Sequence, residues 1–113
     1  SIMTMDIMST AGDFFRGGTQ WSTVLIASVY NAEMRITQEE IGIENIRWTR
    51  ESGDSASDEA WNLRHPRGTV GLRLPIDSAE DFPGQWSEVS EVGFRCTIWI
   101  GETEISEAYN TTL

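Results

Sequence analysis

Short runs of β-branched and aromatic residues alternate with polar ones along this chain, divided by clusters of Gly, Asn, Asp and Ser. Period-two alternation of this kind marks antiparallel strands with one wet face. Residues 2–8 predict a first, edge strand, followed by the turn signal "STAGD". "FFRGGTQ" sets Gly17 and Gly18 at a tight turn that needs positive φ and leads into the next strand. "STVLIASVYN" puts Leu25, Ala27 and Val29 on one face, while Val24, Ile26 and Tyr30 leave the other only half polar. "ENIRWTR" turns Ile46 and Trp48 inward and Arg47 and Thr49 outward. "TVGLRLP" predicts a strand with Val70, Leu72 and Leu74 inward, ended by Pro75. In "EVGFRCTIWI", Val92, Phe94, Cys96, Ile98 and Ile100 share one face and Arg95, Thr97 and Trp99 the other. A weak last strand runs from Ile105 to Tyr109.

Two stretches break the pattern. "ESGDSASDEAWNLRHPRG" reads as a polar loop with one short helical turn, in which Ser55 and Asp58 stand in capping-box spacing with Asp in place of Glu. "DSAEDFPGQWSE" reads as irregular. No long helical stripe, internal repeat or low-complexity tract competes with the strands.

Composition narrows the function. A chain of 113 residues with five Trp supports one core and one domain. The formal charge is −10 and all eight basic residues are Arg, so the surface repels phosphate backbones and nucleic acid is not an expected partner. The segment "SIMTMDIM" has no cationic stretch before its apolar one and is too short to span a bilayer, so membrane insertion is not expected either. A lone Cys96 excludes an intrachain disulfide and, with a single His, the usual zinc ligand sets. Lying in register with apolar neighbours, Cys96 reads as a small buried hydrophobe rather than a nucleophile.

The order of landmarks resembles an immunoglobulin-like sandwich: an aliphatic strand, a strand with an inward Trp48, and later Phe94 two residues before Cys96. The resemblance implies an all-β fold of about seven antiparallel strands, held by packing without a disulfide, with the short helical turn in the connection between the C and E strands. Phe94 stands where the family often has its corner tyrosine, so that hydroxyl bond is absent. More narrowly, the chain resembles the immunoglobulin-like domains of bacteriophage tail-tip and tail-fibre proteins. The matching residues are Phe15, Arg16, Gly18, Leu25, Ala27, Val29 and Thr37, the segment "IRWTR", the loop "DEAWNLRH" and the strand "FRC".

Chemistry adds little to this. His65 has no nucleophile at a defined spacing, and there is neither a serine elbow nor a phosphate-cradling glycine loop, so an enzyme is not expected. Acidic pairs such as Glu39 with Glu40 and Asp58 with Glu59 invite comparison with a glycosidase, but 18 acids in 113 residues produce such pairs without purpose. Asp54, Ser55, Asp58 and Glu59 offer oxygen ligands for calcium, at a spacing unlike an EF-hand; neither metal nor cofactor is assigned. The outer sheet face leaves two readings open, a binding surface or an outward Trp stacked on Arg of the next strand for modest stability. If the strands of Trp48 and Cys96 are neighbours, Arg47, Thr49, Arg95, Thr97 and Trp99 share one outer face, with residue types enriched in interfaces. Trp86 and Trp21 could add stacking platforms or plug the ends of the sandwich.

The resemblance implies a noncatalytic spacer or adhesive module on the virion, in a phage or prophage tail. Its partners are then other tail-protein domains or a bacterial surface ligand, and homo-oligomers arise through the parent protein. The alternatives are a bacterial cell-surface domain that binds glycan through Trp99 or Trp86, a capsid-decoration protein, and a small hydrolase using acidic loop residues.

Overall fold

The computed structural model describes residues 2–11, 22–82 and 91–112. Two antiparallel sheets face each other across one core, a sandwich-like arrangement. The first sheet contains β1 (Met3–Ser9), β2 (Ser22–Asn31), β3 (Met34–Ile36) and β5 (Arg73–Asp77); the second contains β4 (Ile46–Glu51), β6 (Glu91–Ile100) and β7 (Thr103–Thr112). In the first sheet β2 is central, with β1 along one side and β3 and β5 end to end along the other. In the second, β6 lies between β4 and β7. β1 pairs only with β2 among the described strands, as its edge position in the sequence suggests.

Alternation decides the faces. Leu25, Ala27 and Val29 of β2 are fully buried, and so are Phe94, Cys96 and Ile98 of β6. They meet Ile46 and Trp48 of β4 and Leu74 and Ile76 of β5 in one cluster. Trp48 and Cys96 are direct cross-strand neighbours in the β4–β6 register. The Trp48 indole N–H, taken out of water, donates to the Gly71 carbonyl at 2.7 Å. That bond removes the penalty a buried donor otherwise carries. Cys96 is unpaired and buried, so packing alone joins the two landmarks.

The hairpin turns show what backbone geometry asks of sequence. Gly101 turns β6 into β7 at φ 59, with nothing within 4 Å of where a Cβ would stand. Ala32 makes the equivalent turn from β2 to β3 at φ 55, in a region that favours glycine.

Three expectations are corrected. Residues 55–64 form α2 (Ser55–Arg64), a ten-residue helix rather than one turn, and its N-cap is Asp54 rather than Ser55. The Ser57 backbone N–H donates to Asp54 Oδ1 at 3.1 Å and the Ser57 hydroxyl to Oδ2 at 2.8 Å. The strand expected from Thr69 starts only at Arg73, leaving Val70 outside it, and Pro75 does not end it: β5 runs on through Ile76, which is buried. The proline lies opposite Val24 in a strand that, among the described strands, pairs on one side only, where a missing N–H costs no ladder bond. The segment after β3 is ordered by α1 (Gln38–Ile41), which Thr37 and Glu40 start with a reciprocal capping box, and by a 3₁₀ turn at Ile43–Asn45. The expected Gly17–Gly18 turn lies outside the described residues.

Trp48→Ala is expected to cost about 3–5 kcal/mol in urea unfolding, since it empties the centre of the core. Cys96→Val should be mild, while Cys96→Ser should destabilise clearly by burying a hydroxyl without a partner. Equal midpoints for the Ser and Val variants would place the thiol outside the core.

Candidate functional site

The outer face of the second sheet gathers three of the four candidate binding residues. Arg47 sits opposite Thr97, Arg95 opposite Thr49, and Trp99 opposite Glu104. Trp86 and Trp21 lie outside the described residues. Each of the three is held differently. Arg95 pairs with Glu51 through Nε at 3.2 Å and donates from Nη1 to the Ser106 hydroxyl at 3.0 Å, in an exposed setting where such a pair contributes little. Trp99 donates its indole N–H to Glu104 Oε1 at 2.6 Å. One face of its ring is covered by the Arg67 guanidinium, 4.0 Å from the centroid. Arg67 is in turn fixed to the 3₁₀ turn by Nε donating to the Glu44 carbonyl at 2.8 Å and Nη2 to Asn45 Oδ1 at 3.0 Å.

Arg47 is the free member. Among the described residues it has no hydrogen-bond or ion-pair partner. It lines an open hollow of ≈ 410 Å³ with Glu59, Asn62 and Leu63, between α2 and the sheet. Leu63 is 82% exposed there, a large apolar side chain beside an unpaired cation. Such a surface suits contact with a carboxylate-bearing, partly apolar partner.

Behind this face lies a buried polar network. Alternation along β4 points Arg50 inward, and its side chain is 1% exposed. Nη1 contacts Asp58 Oδ1 at 2.6 Å and Nε donates to the Asp81 carbonyl at 3.0 Å. Asp58 also accepts from the Ser52 N–H at 2.8 Å and the Ser52 hydroxyl at 2.9 Å. The Asn62 side-chain oxygen accepts the Arg50 backbone N–H at 2.8 Å. Asp81 accepts from the Trp61 indole at 2.8 Å and from the Asp77 N–H at 2.7 Å. The network clamps α2 and the 77–81 turn onto β4, and Trp61 and Phe82 then pack on Phe94.

This settles what the acidic loop does. Asp54 caps a helix and Asp58 neutralises Arg50, so two of the four oxygen donors considered for calcium are turned into the fold. Among the described residues no three His, Cys, Asp or Glu side chains are grouped to hold a metal ion. His65, the C-cap of α2, stacks on Trp61 at 3.7 Å and 15°, with its Nδ1–H donating to the Trp61 carbonyl at 2.7 Å. Burial pushes the Cys96 thiol up to about 12, the reverse of what a nucleophile needs. No helix among the described residues is long and apolar enough to cross a membrane.

Set against known protein families, curated proteins and solved structures, the chain finds no match in any of the three comparisons.

Two predictions arise from this geometry. Asp58→Ala should cost about 3–5 kcal/mol, because Arg50 stays buried without its counter-charge. With Arg50→Met added, the total loss should fall short of the sum of the two single losses by about 1–3 kcal/mol, measured by urea unfolding. Cys96 keeps its proton when folded to about pH 12 and loses it near pH 8.5 when unfolded. Its contribution is therefore constant below about pH 8.5 and declines as pH rises towards 12, more steeply than in Cys96→Val.

Proposed function

We propose that the chain is a noncatalytic immunoglobulin-like module of a phage or prophage tail protein, serving as a rigid spacer or a contact with the bacterial surface. Strand pairing supports the immunoglobulin-like part. β1, β2 and β5 share one sheet, and β4, β6 and β7 the other with β6 central, in keeping with the A–B–E and C–F–G partition of that fold, to which β3 adds a short hairpin strand in the first sheet. Trp48 on β4 faces Cys96 on β6 in register, the places that the family's core Trp and second Cys take.

What supports the tail reading is the placing of those residues of the resemblance that lie among the described ones; Phe15, Arg16 and Gly18 lie outside them. Of "DEAWNLRH", Asp58 and Asn62 fasten α2 to Arg50 of β4, next to "IRWTR", Trp61 ties it to Asp81 after β5, and His65 stacks on Trp61 at the end of the helix. Thr37 starts α1. These residues thus serve the fold, and the contact surface falls to Arg47, Arg95 and Trp99. Because Arg67 already covers one face of Trp99, a sugar could stack on that face only by displacing it. This favours a protein partner over a glycan at that point.

The test is peptide mass spectrometry of particles purified after prophage induction, or after infection, in the host that carries the gene. Peptides of this chain are expected in the tail fraction. Their restriction to capsids, or absence from particles while the chain is expressed, contradicts the tail assignment.

A further inference from the structure

The outer face of the first sheet is unlike that of an ordinary solvated strand set. Its centre is Val24, Ile26 and Tyr30 on β2, flanked by Met8, which is 57% exposed, opposite Ile26 on β1, and by Pro75 opposite Val24 on β5. Only Ser28 interrupts the β2 row, between Ile26 and Tyr30, and an apolar patch on a sheet face marks a contact surface.

Its charges are placed asymmetrically. Asp6 stands on β1 opposite Ser28. On the other side of β2, Arg73 stands opposite Ile26 and Arg35 opposite Tyr30. Ser28 lies midway between Ile26 and Tyr30, so Asp6 is level with the gap between the two arginines. Between them the sheet opens into a hollow of ≈ 320 Å³, lined by Ile26, Arg35, Gln38, Leu72 and Arg73 among others, where β3 has ended and β5 has not begun. None of Asp6, Arg35 and Arg73 has an ion-pair or hydrogen-bond partner among the described residues.

A two-fold axis laid along β2 exchanges the two sides of the sheet while keeping each level along the strand. Applied to this face, it carries each copy's Asp6 over the other copy's gap between Arg35 and Arg73, and it stacks the β2 stripe upon itself. We propose that this face is the interface of a homodimer, with Asp6 of the partner subunit seated between Arg35 and Arg73. Self-complementarity is what an isologous contact requires, and a near-aligned packing of two sheets supplies it. The axis turns one unpaired acid and two unpaired cations on the same chain into two matched sets. This contact is separate from the face of Arg47, Arg95 and Trp99, and it does not depend on the tail assignment.

The test is sedimentation equilibrium of the full chain up to about 100 μM, a range that captures dissociation constants near 1–10 μM. The wild-type chain is expected to reach twice its mass of 12.7 kDa. Asp6→Arg alone, and Arg35→Asp with Arg73→Asp, should each weaken association by at least about tenfold. Combining all three reversals should restore it to within about threefold of wild type, because the pairing is then inverted in both copies. Urea midpoints confirm that the variants fold, and Asp6→Asn and Arg73→Gln give smaller losses of the same sign should a reversal disturb the sheet. A wild-type chain that stays at 12.7 kDa throughout, or a triple variant no better than its parents, overturns the proposal. So does a monomer that inorganic phosphate stabilises through Arg35 and Arg73, which would make the hollow an anion site.

Discussion

A guanidinium shut inside the end of the sandwich sets the terms for much of this structure. Removing a charge from water costs several kcal/mol, and an arginine at that depth needs a counter-charge and hydrogen-bond acceptors for its N–H groups. Arg50 meets the first demand with Asp58 and part of the second with Ser52 and the Asp81 carbonyl; its Nη2 is buried without a hydrogen-bond partner among the described residues. Each partner sits on a different piece of chain. α2 supplies Asp58, the β4–α2 connection supplies Ser52, and the turn after β5 supplies Asp81. Satisfying one side chain therefore fixes the chain that follows β4 and the helix beside it, and ties both to a turn 31 residues further on. Trp61 and Phe82 come into place with them and close this end of the core over Phe94.

The centre of the molecule works by the opposite principle. Trp48 and Cys96 meet in register with only one polar group, the indole N–H, and that group is satisfied by Gly71. A core that dry needs no covalent bridge, and the thiol serves as a small apolar side chain held far from ionisation. Because stability resides in the interior and at the Arg50 end, the two outer faces are free to differ. One carries Arg47, Arg95 and a Trp99 braced by Arg67; the other carries an aliphatic stripe with unpaired charges at its margins.

Where burial follows side-chain alternation, the strands were legible. β2, β4 and β6 lie where the pattern places them, with the inward residues it names, and the outer face of Arg47, Arg95 and Trp99 is assembled as the alternation implies. α2 was not legible as a full helix because the stripe it turns toward the sheet is Asp54, Ser57, Asp58, Trp61, Asn62 and His65. That stripe has helical spacing but is polar, so a search for apolar periodicity passes over it. Arg50 escaped notice for the converse reason: the same alternation that turns Trp48 inward also turns Arg50 inward, but a charged residue is read as exposed by type. α1 carried its own signal, since "TQEE" has capping-box spacing, although a four-residue helix leaves no periodicity to corroborate it. Arg67 could not be assigned to Trp99 from the chain alone, because that contact depends on how the connection after α2 folds back on the 3₁₀ turn.

If Arg50 makes helix and sheet one cooperative unit, native-state amide hydrogen exchange measures it directly. The account predicts that the hydrogen-bonded amides near Trp61 in α2 exchange with the same opening free energy and urea dependence as those of Trp48 and Cys96. Exchange of the α2 amides through small, urea-insensitive openings while β4 and β6 remain protected would contradict it, and would reduce the helix to a loosely attached ornament of the sheet.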